Sequence, residues 1–175
     1  LLGGTEVLLK LLEEIIRDEY LERVSIITSP RHANAILPGG RIFIEKAKEI
    51  LDSSRNETET EILNQESIEN DEFIEYCCKF DTRISISAAW IYKQTHIDGI
   101  GAIYQLHNTD LPKMRGGASY SWMIMSGEKN AATTLFKVDS GIDTGNIVLN
   151  KKYKFPASCV KPMDYMSYAE KRTVK

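Results

Sequence analysis

The clearest prediction of the fold comes from residues 1–28, LLGGTEVLLKLLEEIIRDEYLERVSIIT. Apolar residues recur at a helical spacing over 5–20, which predicts an amphipathic helix with Thr5 as a candidate N-cap. The β-branched run at 23–28 predicts a strand. Leu1-Leu2-Gly3-Gly4 is typical of a strand end entering a turn, so we expect the start of this first strand to be truncated. Strand, glycine turn, helix and strand together make half of a doubly wound α/β domain.

The rest of the chain continues this alternation of helices and strands. Pattern and cap residues predict helices at 41–52, 71–80 (capped by Asn70 or Asp71) and 118–126, and strands at 61–63, 83–91, 100–106, 132–139 and 146–155. Residues 29–40 and 53–60 are expected to be a loop and a polar linker.

Composition excludes several classes of protein. With 175 residues, 42% hydrophobic and 27% charged, the chain suits one globular domain, and its net charge of −3 gives no sign of a nucleic-acid partner. Its three cysteines (Cys77, Cys78 and Cys159) suit neither a disulfide framework nor a zinc site. No apolar run approaches the ~20 residues that span a bilayer. We therefore expect a cytoplasmic protein without a metal or a membrane partner.

A candidate site lies where the strand at 100–106 ends. His107 comes directly after this strand, and Gln105 lies two residues earlier, on the same face of an extended chain. Pro112, Gly116 and Gly117 then predict an irregular loop with exposed backbone donors. A carboxamide, an imidazole and a loop are therefore expected at one strand end, where ligands bind in open α/β sheets.

Asp143 is the candidate partner of His107. It lies between Gly141 and Gly145, which allow a tight turn and the close approach of a ligand. Amide, imidazole and carboxylate together suit acyl transfer to an amine, and no Gly-x-Ser-x-Gly nucleophile elbow is present. An ordinary loop histidine and an ordinary turn aspartate fit the same residues, so residue chemistry alone leaves both interpretations open.

Two signatures resemble those of the folate-dependent formyltransferases. His107-Asn108-Thr109-Asp110-Leu111-Pro112-Lys113-Met114-Arg115-Gly116 resembles the histidine–leucine–proline–arginine–glycine signature of that family, and Trp122 with Gly127-Glu128 matches the family's next segment. Asp143-Thr144-Gly145-Asn146-Ile147 resembles the second signature at a similar separation. The resemblance extends over about residues 84–150. We interpret Trp122 as a packing residue.

The resemblance implies a Rossmann-like formyltransferase fold, with a mostly parallel twisted sheet and helices on both faces. Residues 1–155 would form the catalytic domain and residues 156–175 a partly helical tail. The formyl donor would be 10-formyltetrahydrofolate, with His107 and Asp143 as catalytic residues. Gln105 stands where the family has asparagine, so the amide is retained on a side chain one methylene longer.

The resemblance also implies positions for the ligands. The folate would lie against Ser87, Ala88, Trp90, Ile91, Gly141 and Ile142, with Trp90 equally compatible with a place in the core. Candidate acceptor-binding residues are Asn108, Arg115, Gly116, Arg31 and His32, of which Arg31 and His32 fit a surface loop equally well.

Three acceptors compete within the family. The chain resembles most the sugar N-formyltransferases, through His107-Asn108, the loop Thr28–His32 and the tail around Pro156. The acceptor would then be a nucleotide-linked amino sugar, with a homodimer as the candidate assembly. Glycinamide ribonucleotide and methionyl-tRNA formyltransferases are the enzymatic alternatives. A non-catalytic relative that binds folate or a nucleotide sugar, marked by Gln105, is the alternative from another class.

Overall fold

A seven-stranded sheet organises the computed structural model of the chain, which describes residues 1–54 and 57–173. The strands are β1 (Leu2–Gly3), β2 (Arg23–Thr28), β3 (Glu59–Asn64), β4 (Ile84–Ile86), β5 (Tyr104–His107), β6 (Asn130–Lys137) and β7 (Ile147–Lys154). Their order across the sheet is β3-β2-β1-β4-β5-β6-β7. The first five are mutually parallel, whereas β6 is antiparallel to β5 and β7 is antiparallel to β6. The expected mostly parallel α/β sheet is confirmed.

The helices keep the expected alternation with two additions. They are α1 (Glu6–Ile15), α2 (Pro30–Ala33), α3 (Phe43–Asp52), α4 (Asp71–Cys77), α5 (Gln94–Ile100), α6 (Ser119–Met125) and α7 (Pro162–Thr173). The sequence did not predict α2 or α5. Thr5 occupies the N-cap position of α1, as expected, but its φ is 99° and its side chain makes no capping hydrogen bond.

Helices cover both faces of the sheet, and successive side chains of β2 point alternately to one face and to the other. Val24 and Ile26 point into a core cluster shared with α1 and α3. Ile27 points the other way, into a cluster shared with α4 and α5. The sequence of a strand that is buried on both faces is a continuous apolar run, which is the pattern that predicted β2.

A third cluster closes the antiparallel end of the molecule. Tyr165 of α7 packs on Phe155 with ring centroids 4.2 Å apart, and Met123 of α6 joins them. The helical tail therefore packs on the sheet. Trp122, on the other side of α6, is 61% exposed, so its interpretation as a packing residue was wrong. β7 is an edge strand whose lysines at 151, 152 and 154 are exposed.

The chain changes direction across the sheet between β1 and β4, which are neighbours although far apart in sequence. Ligands bind in open α/β sheets at such a switch point, beyond the carboxyl ends of the strands. Gly3 allows the backbone of β1 to approach the end of β4 closely at this point. Its φ is 117°, and a side chain there would collide with the Ile86 carbonyl oxygen. Within the described residues, no helix has the length and hydropathy that a bilayer crossing requires.

Candidate active site

His107 is the last residue of β5, and Gln105 lies on the same side of this strand. β5 is flanked by β4 on one side and by β6 on the other, where His107 is paired with Thr134. The side chain of His107 is 15% exposed. The imidazole is therefore held at the carboxyl edge of the sheet with limited access to solvent.

A rigid turn between β6 and β7 carries Asp143. Its φ is 51°, a left-handed conformation that aspartate tolerates better than most residues. Asp139 holds the turn, since its Oδ1 accepts the Gly141 N–H at 3.1 Å and the Thr144 hydroxyl at 2.5 Å. The side chain of Asp143 is only 9% exposed.

The carboxylate of Asp143 contacts three groups of the site. Its Oδ1 accepts the Gln105 Nε2 at 3.3 Å, and its Oδ2 accepts the Gly116 N–H at 2.8 Å. The same Oδ2 lies 3.7 Å from the His107 Nε2. The fold thus brings together the three side chains that the sequence singled out, together with the glycine of the following loop. Their catalytic roles stay a prediction.

The loop after His107 adds two groups that sequence reasoning missed. The Met114 carbonyl oxygen lies 3.1 Å from the His107 Nε2 and accepts the Thr109 hydroxyl at 2.7 Å. Thr109 is 1% exposed, and its own carbonyl accepts the Thr134 hydroxyl at 2.8 Å. No sequence signal distinguished Thr109 from an ordinary loop threonine.

Asn108 contacts the C-terminal helix. The Thr173 hydroxyl of α7 donates to its Oδ1 at 2.9 Å. Burial, opposed by a smaller contribution from Asn108, raises the pKa of the nearby Tyr120. Arg115, the charged candidate of this loop, is exposed.

The loop after β4 lies beside the switch point. Ser87 is exposed with a φ of 50°, and the backbone of Ala88 lies against Gly3. Trp90 is half-buried near Phe73, and its Nε1 donates to the Glu66 carbonyl at 3.4 Å. A packed, hydrogen-bonded Trp90 favours the core alternative.

Two apolar side chains of the predicted folate loops are exposed. Ile91, after β4, is 65% exposed, and Ile142, beside Asp143, is 57% exposed. Single exposed apolar residues are common, so their exposure becomes informative only together with the neighbouring polar groups.

Arg31 and His32 lie on α2, directly after β2. A side chain at Gly4 would collide with His32, so α2 contacts the turn that comes after β1. Burial, with a smaller contribution from the Arg31 charge, lowers the pKa of His32. The imidazole is therefore neutral over a wider pH range than a free histidine, while Arg31 is exposed.

Side-chain geometry identifies this site, since the main cavities lie elsewhere. A cavity of about 730 Å³ lies at the opposite end of the sheet, against Leu1, Arg23 and Ile84. None of the residues around Asp143 lines it. Among residues 1–54 and 57–173, no group of three or more histidine, cysteine, aspartate or glutamate side chains could hold a metal ion.

The site therefore offers an amide donor, an imidazole and a nearly buried carboxylate around one point. A positioned imidazole serves proton transfer, and an amide donor stabilises a developing negative charge on oxygen. This combination suits the attack of an amine on an activated acyl group.

Several curated relatives are methionyl-tRNA formyltransferases. That of Acetivibrio thermocellus is 27% identical over 152 residues, covering 85% of this chain and 46% of that protein. That of Syntrophus aciditrophicus is 26% identical over 159 residues, covering 89% of this chain and 48% of that protein. The chain spans about half the length of these relatives.

Solved structures share the fold at low identity. A phosphoribosylglycinamide formyltransferase from Anaplasma phagocytophilum matches 99% of this chain and 78% of its own, with a TM-score of 0.73 and 17% identity. A sugar 3N-formyl transferase, solved in the presence of dTDP and 5-N-formyl-THF, matches 98% of this chain and 58% of its own, with a TM-score of 0.68 and 18% identity. Identities this low establish the fold alone.

The model of the family described as formyl transferase matches residues 46–159, which are well over half of the chain and include all of β4–β7 with the loops that carry His107 and Asp143. The chain belongs to the formyl transferase family.

Proposed function

We propose that this protein transfers a formyl group from 10-formyltetrahydrofolate to the amine of a nucleotide-linked amino sugar. The observation that carries formyl transfer is the contact set at Asp143, whose carboxylate touches Gln105, Gly116 and His107 within 3.7 Å. These groups come from two separate signatures, and they converge at one edge of the sheet.

Each residue of the set has one task in this reaction. The acceptor amine attacks the formyl carbon, and His107 takes the proton that the amine loses. One hydrogen of the Gln105 amide points to Asp143, so the second is free to stabilise the developing oxyanion. Asp143 fixes Gln105 and the loop at Gly116, and its Oδ2 lies 3.7 Å from the His107 Nε2.

The folate supplies the activated formyl group when it is bound. Exposed Ile91 and Ile142 fit its aromatic ring system, because a bound ring would remove both side chains from water. Ser87 and Ala88, beside Gly3, and the turn at Gly141 would complete the donor site at the same edge. No metal ion takes part in this proposal.

The acceptor proposal rests on the loop at α2. Arg31 and His32 come after β2, close to the turn after β1, and the cationic Arg31 is exposed there for a phosphate of the nucleotide. The loops at Asn108, Arg115 and Gly116 would contact the sugar. A sugar 3N-formyl transferase is among the proteins that share this fold, so the fold is compatible with this choice.

Methionyl-tRNA is the second candidate acceptor. The favouring observation is that several matching curated relatives are methionyl-tRNA formyltransferases, at 27% identity over 152 residues for that of Acetivibrio thermocellus. The chain covers 46% of that protein, so the comparison leaves the acceptor of this chain open.

An acceptor panel tests the proposal. The chain is supplied with 10-formyltetrahydrofolate and, separately, with nucleotide-linked amino sugars, glycinamide ribonucleotide and methionyl-tRNA, and formylated products are measured by mass spectrometry. We expect the highest kcat/KM with a nucleotide sugar. Turnover with methionyl-tRNA alone would establish the second candidate, and folate binding without any turnover would establish the non-catalytic alternative.

The role of His107 is tested by His107→Ala. We expect kcat to fall by about 10²–10⁴, which is the usual contribution of a general base. Asp81→Asn, an exposed substitution at the opposite end of the sheet, is the control and should leave kcat unchanged. If His107→Ala turns over at the wild-type rate, the assignment of the proton acceptor is wrong.

A further inference from the structure

We infer that Thr109 is a positioning residue, which acts through the Met114 carbonyl to hold His107 in the tautomer with its hydrogen on Nε2. This inference rests on the proposed role of His107. It assigns a function to a buried hydroxyl that touches neither predicted ligand.

The hydrogen is placed on Nε2 by the neighbours of that atom. The Met114 carbonyl oxygen lies 3.1 Å from Nε2, and Asp143 Oδ2 lies 3.7 Å from it. Both oxygens are acceptors only, so Nε2 must be the donor. In the neutral ring the lone pair is then on Nδ1, which is the nitrogen left to take a proton from the acceptor amine.

The carbonyl, rather than the carboxylate, orients the ring. A distance of 3.1 Å is a hydrogen bond, whereas 3.7 Å is too long for one. Asp143 makes its short contact, 2.8 Å, to the Gly116 N–H. The direction of the ring is therefore set by the carbonyl of Met114.

Thr109 fixes that carbonyl in an otherwise irregular loop. Its hydroxyl donates to the Met114 oxygen at 2.7 Å, shorter than the contact from His107. Thr109 is 1% exposed, so water does not compete for this bond.

The sheet in turn anchors Thr109. Its carbonyl accepts the hydroxyl of Thr134, a fully buried residue of β6, at 2.8 Å. Asn150 of β7 donates to the same Thr134 oxygen at 3.2 Å. A chain of buried and partly buried hydrogen bonds thus runs from β7 through β6 and Thr109 to the ring of His107, and such chains hold their members in a single geometry.

The experiment compares Thr109→Val, Thr109→Ser and the wild type. Nitrogen-15 NMR reports which ring nitrogen carries the hydrogen, and the chain has only three histidines to assign. Thr58→Val is the matched control, because the Thr58 hydroxyl also donates to a backbone carbonyl, that of Leu21, at 3.1 Å and far from the site.

We expect His107 in the wild type to be protonated on Nε2 in its neutral form. In Thr109→Val both tautomers should appear, and kcat should fall about fivefold, the factor for one neutral hydrogen bond, with KM within about twofold. Thr109→Ser should restore both readouts, and Thr58→Val should change neither.

Three outcomes would overturn the inference: a wild-type His107 protonated on Nδ1, an unchanged tautomer and kcat in Thr109→Val, or a change of the same size in Thr58→Val. Should Thr109→Val fail to fold, the inference is tested by the tautomer of His107 in the wild type and by the tautomer and kcat of Thr109→Ser. The NMR readout needs no substrate. A chain that transfers no formyl group refutes the proposed function, whereas an active chain with the hydrogen on Nδ1 refutes only this inference.

Discussion

Gln105 stands where the resemblance leads us to expect asparagine, and the geometry shows how the longer side chain is used. Its amide nitrogen reaches Asp143 Oδ1 at 3.3 Å, while Asp143 also holds the Gly116 N–H at 2.8 Å. The extra methylene therefore spans the gap between β5 and the turn after β6. The hydrogen bond between Gln105 and Asp143 thus joins β5 to this turn.

Gln105→Asn should lower kcat by about tenfold. The shorter side chain withdraws the amide from Asp143 by roughly one bond length, and a displacement of about 1 Å at a catalytic group can cost up to about a hundredfold. Formyl transfer is measured with 10-formyltetrahydrofolate and the best acceptor of the panel. A large gain in kcat would contradict this expectation and would support the degenerate, non-catalytic alternative.

The sequence could predict part of this site because strand geometry is regular. A period of two residues places Gln105 and His107 on one face, and the glycines around Asp143 indicate a tight turn. The contact of His107 with the Met114 carbonyl could not be predicted. It depends on the path of an irregular loop, which no periodicity encodes.

Among the helices, α4 shows a cap that the sequence left between two residues. The Asn70 side chain accepts the Phe73 N–H at 2.9 Å, and Asp71 is the first residue of the helix. Asn70 is therefore the N-cap, with Asp71 as an acid in the first turn.

Asn70→Ala should lower the free energy of unfolding by about 1 kcal/mol, the usual value of an N-cap. Asp71→Ala, its neighbour, should cost about 0.5 kcal/mol or less, because it removes only a favourable charge near the helix dipole. Urea denaturation of both variants at neutral pH measures the difference. The assignment of the cap is wrong if Asp71→Ala costs more than Asn70→Ala.

The helix α5 was missed for a physical reason. Its buried positions are His96 and Ile100, one turn apart. Because one of the two is a histidine, the sequence lacks the apolar periodicity that would predict a helix. His96 is a core residue: its Nδ1 accepts the Lys93 N–H at 2.9 Å, and its Nε2 lies 2.9 Å from the Ile68 carbonyl. Gly99 looks like a helix breaker, but a side chain there would collide with Ile74 of α4. Tertiary packing outweighed local propensity at this helix.

At the scale of the molecule, the parallel part of the sheet was predictable and the closure of its antiparallel end was not. The apolar run of β2 and the stripe of α1 identify a two-sided α/β core. The aromatic residues of the third cluster are scattered over α6, β7, α7 and the segment at Phe155. Spacings this irregular give no pattern, so the docking of the tail appears only in three dimensions.

Two buried tyrosines in different clusters allow a test of how these cores are stabilised. Tyr165 is fully buried, and its hydroxyl has no hydrogen-bond partner among the residues that the structure describes. Tyr92 is 3% exposed, and its hydroxyl donates to Ser85 Oγ at 3.2 Å.

Tyr165→Phe should raise the free energy of unfolding by about 1 kcal/mol, because it removes a polar group whose burial is uncompensated. The ring remains in place, so its packing on Phe155 and the Lys129 ammonium 4.7 Å from its centroid are retained. Tyr92→Phe, the matched control, should lower the free energy of unfolding by about 1 kcal/mol, since it also leaves buried Ser85 without its donor. Urea denaturation of both variants decides. Opposite signs support this account of the two cores, whereas a loss of stability in Tyr165→Phe would contradict it.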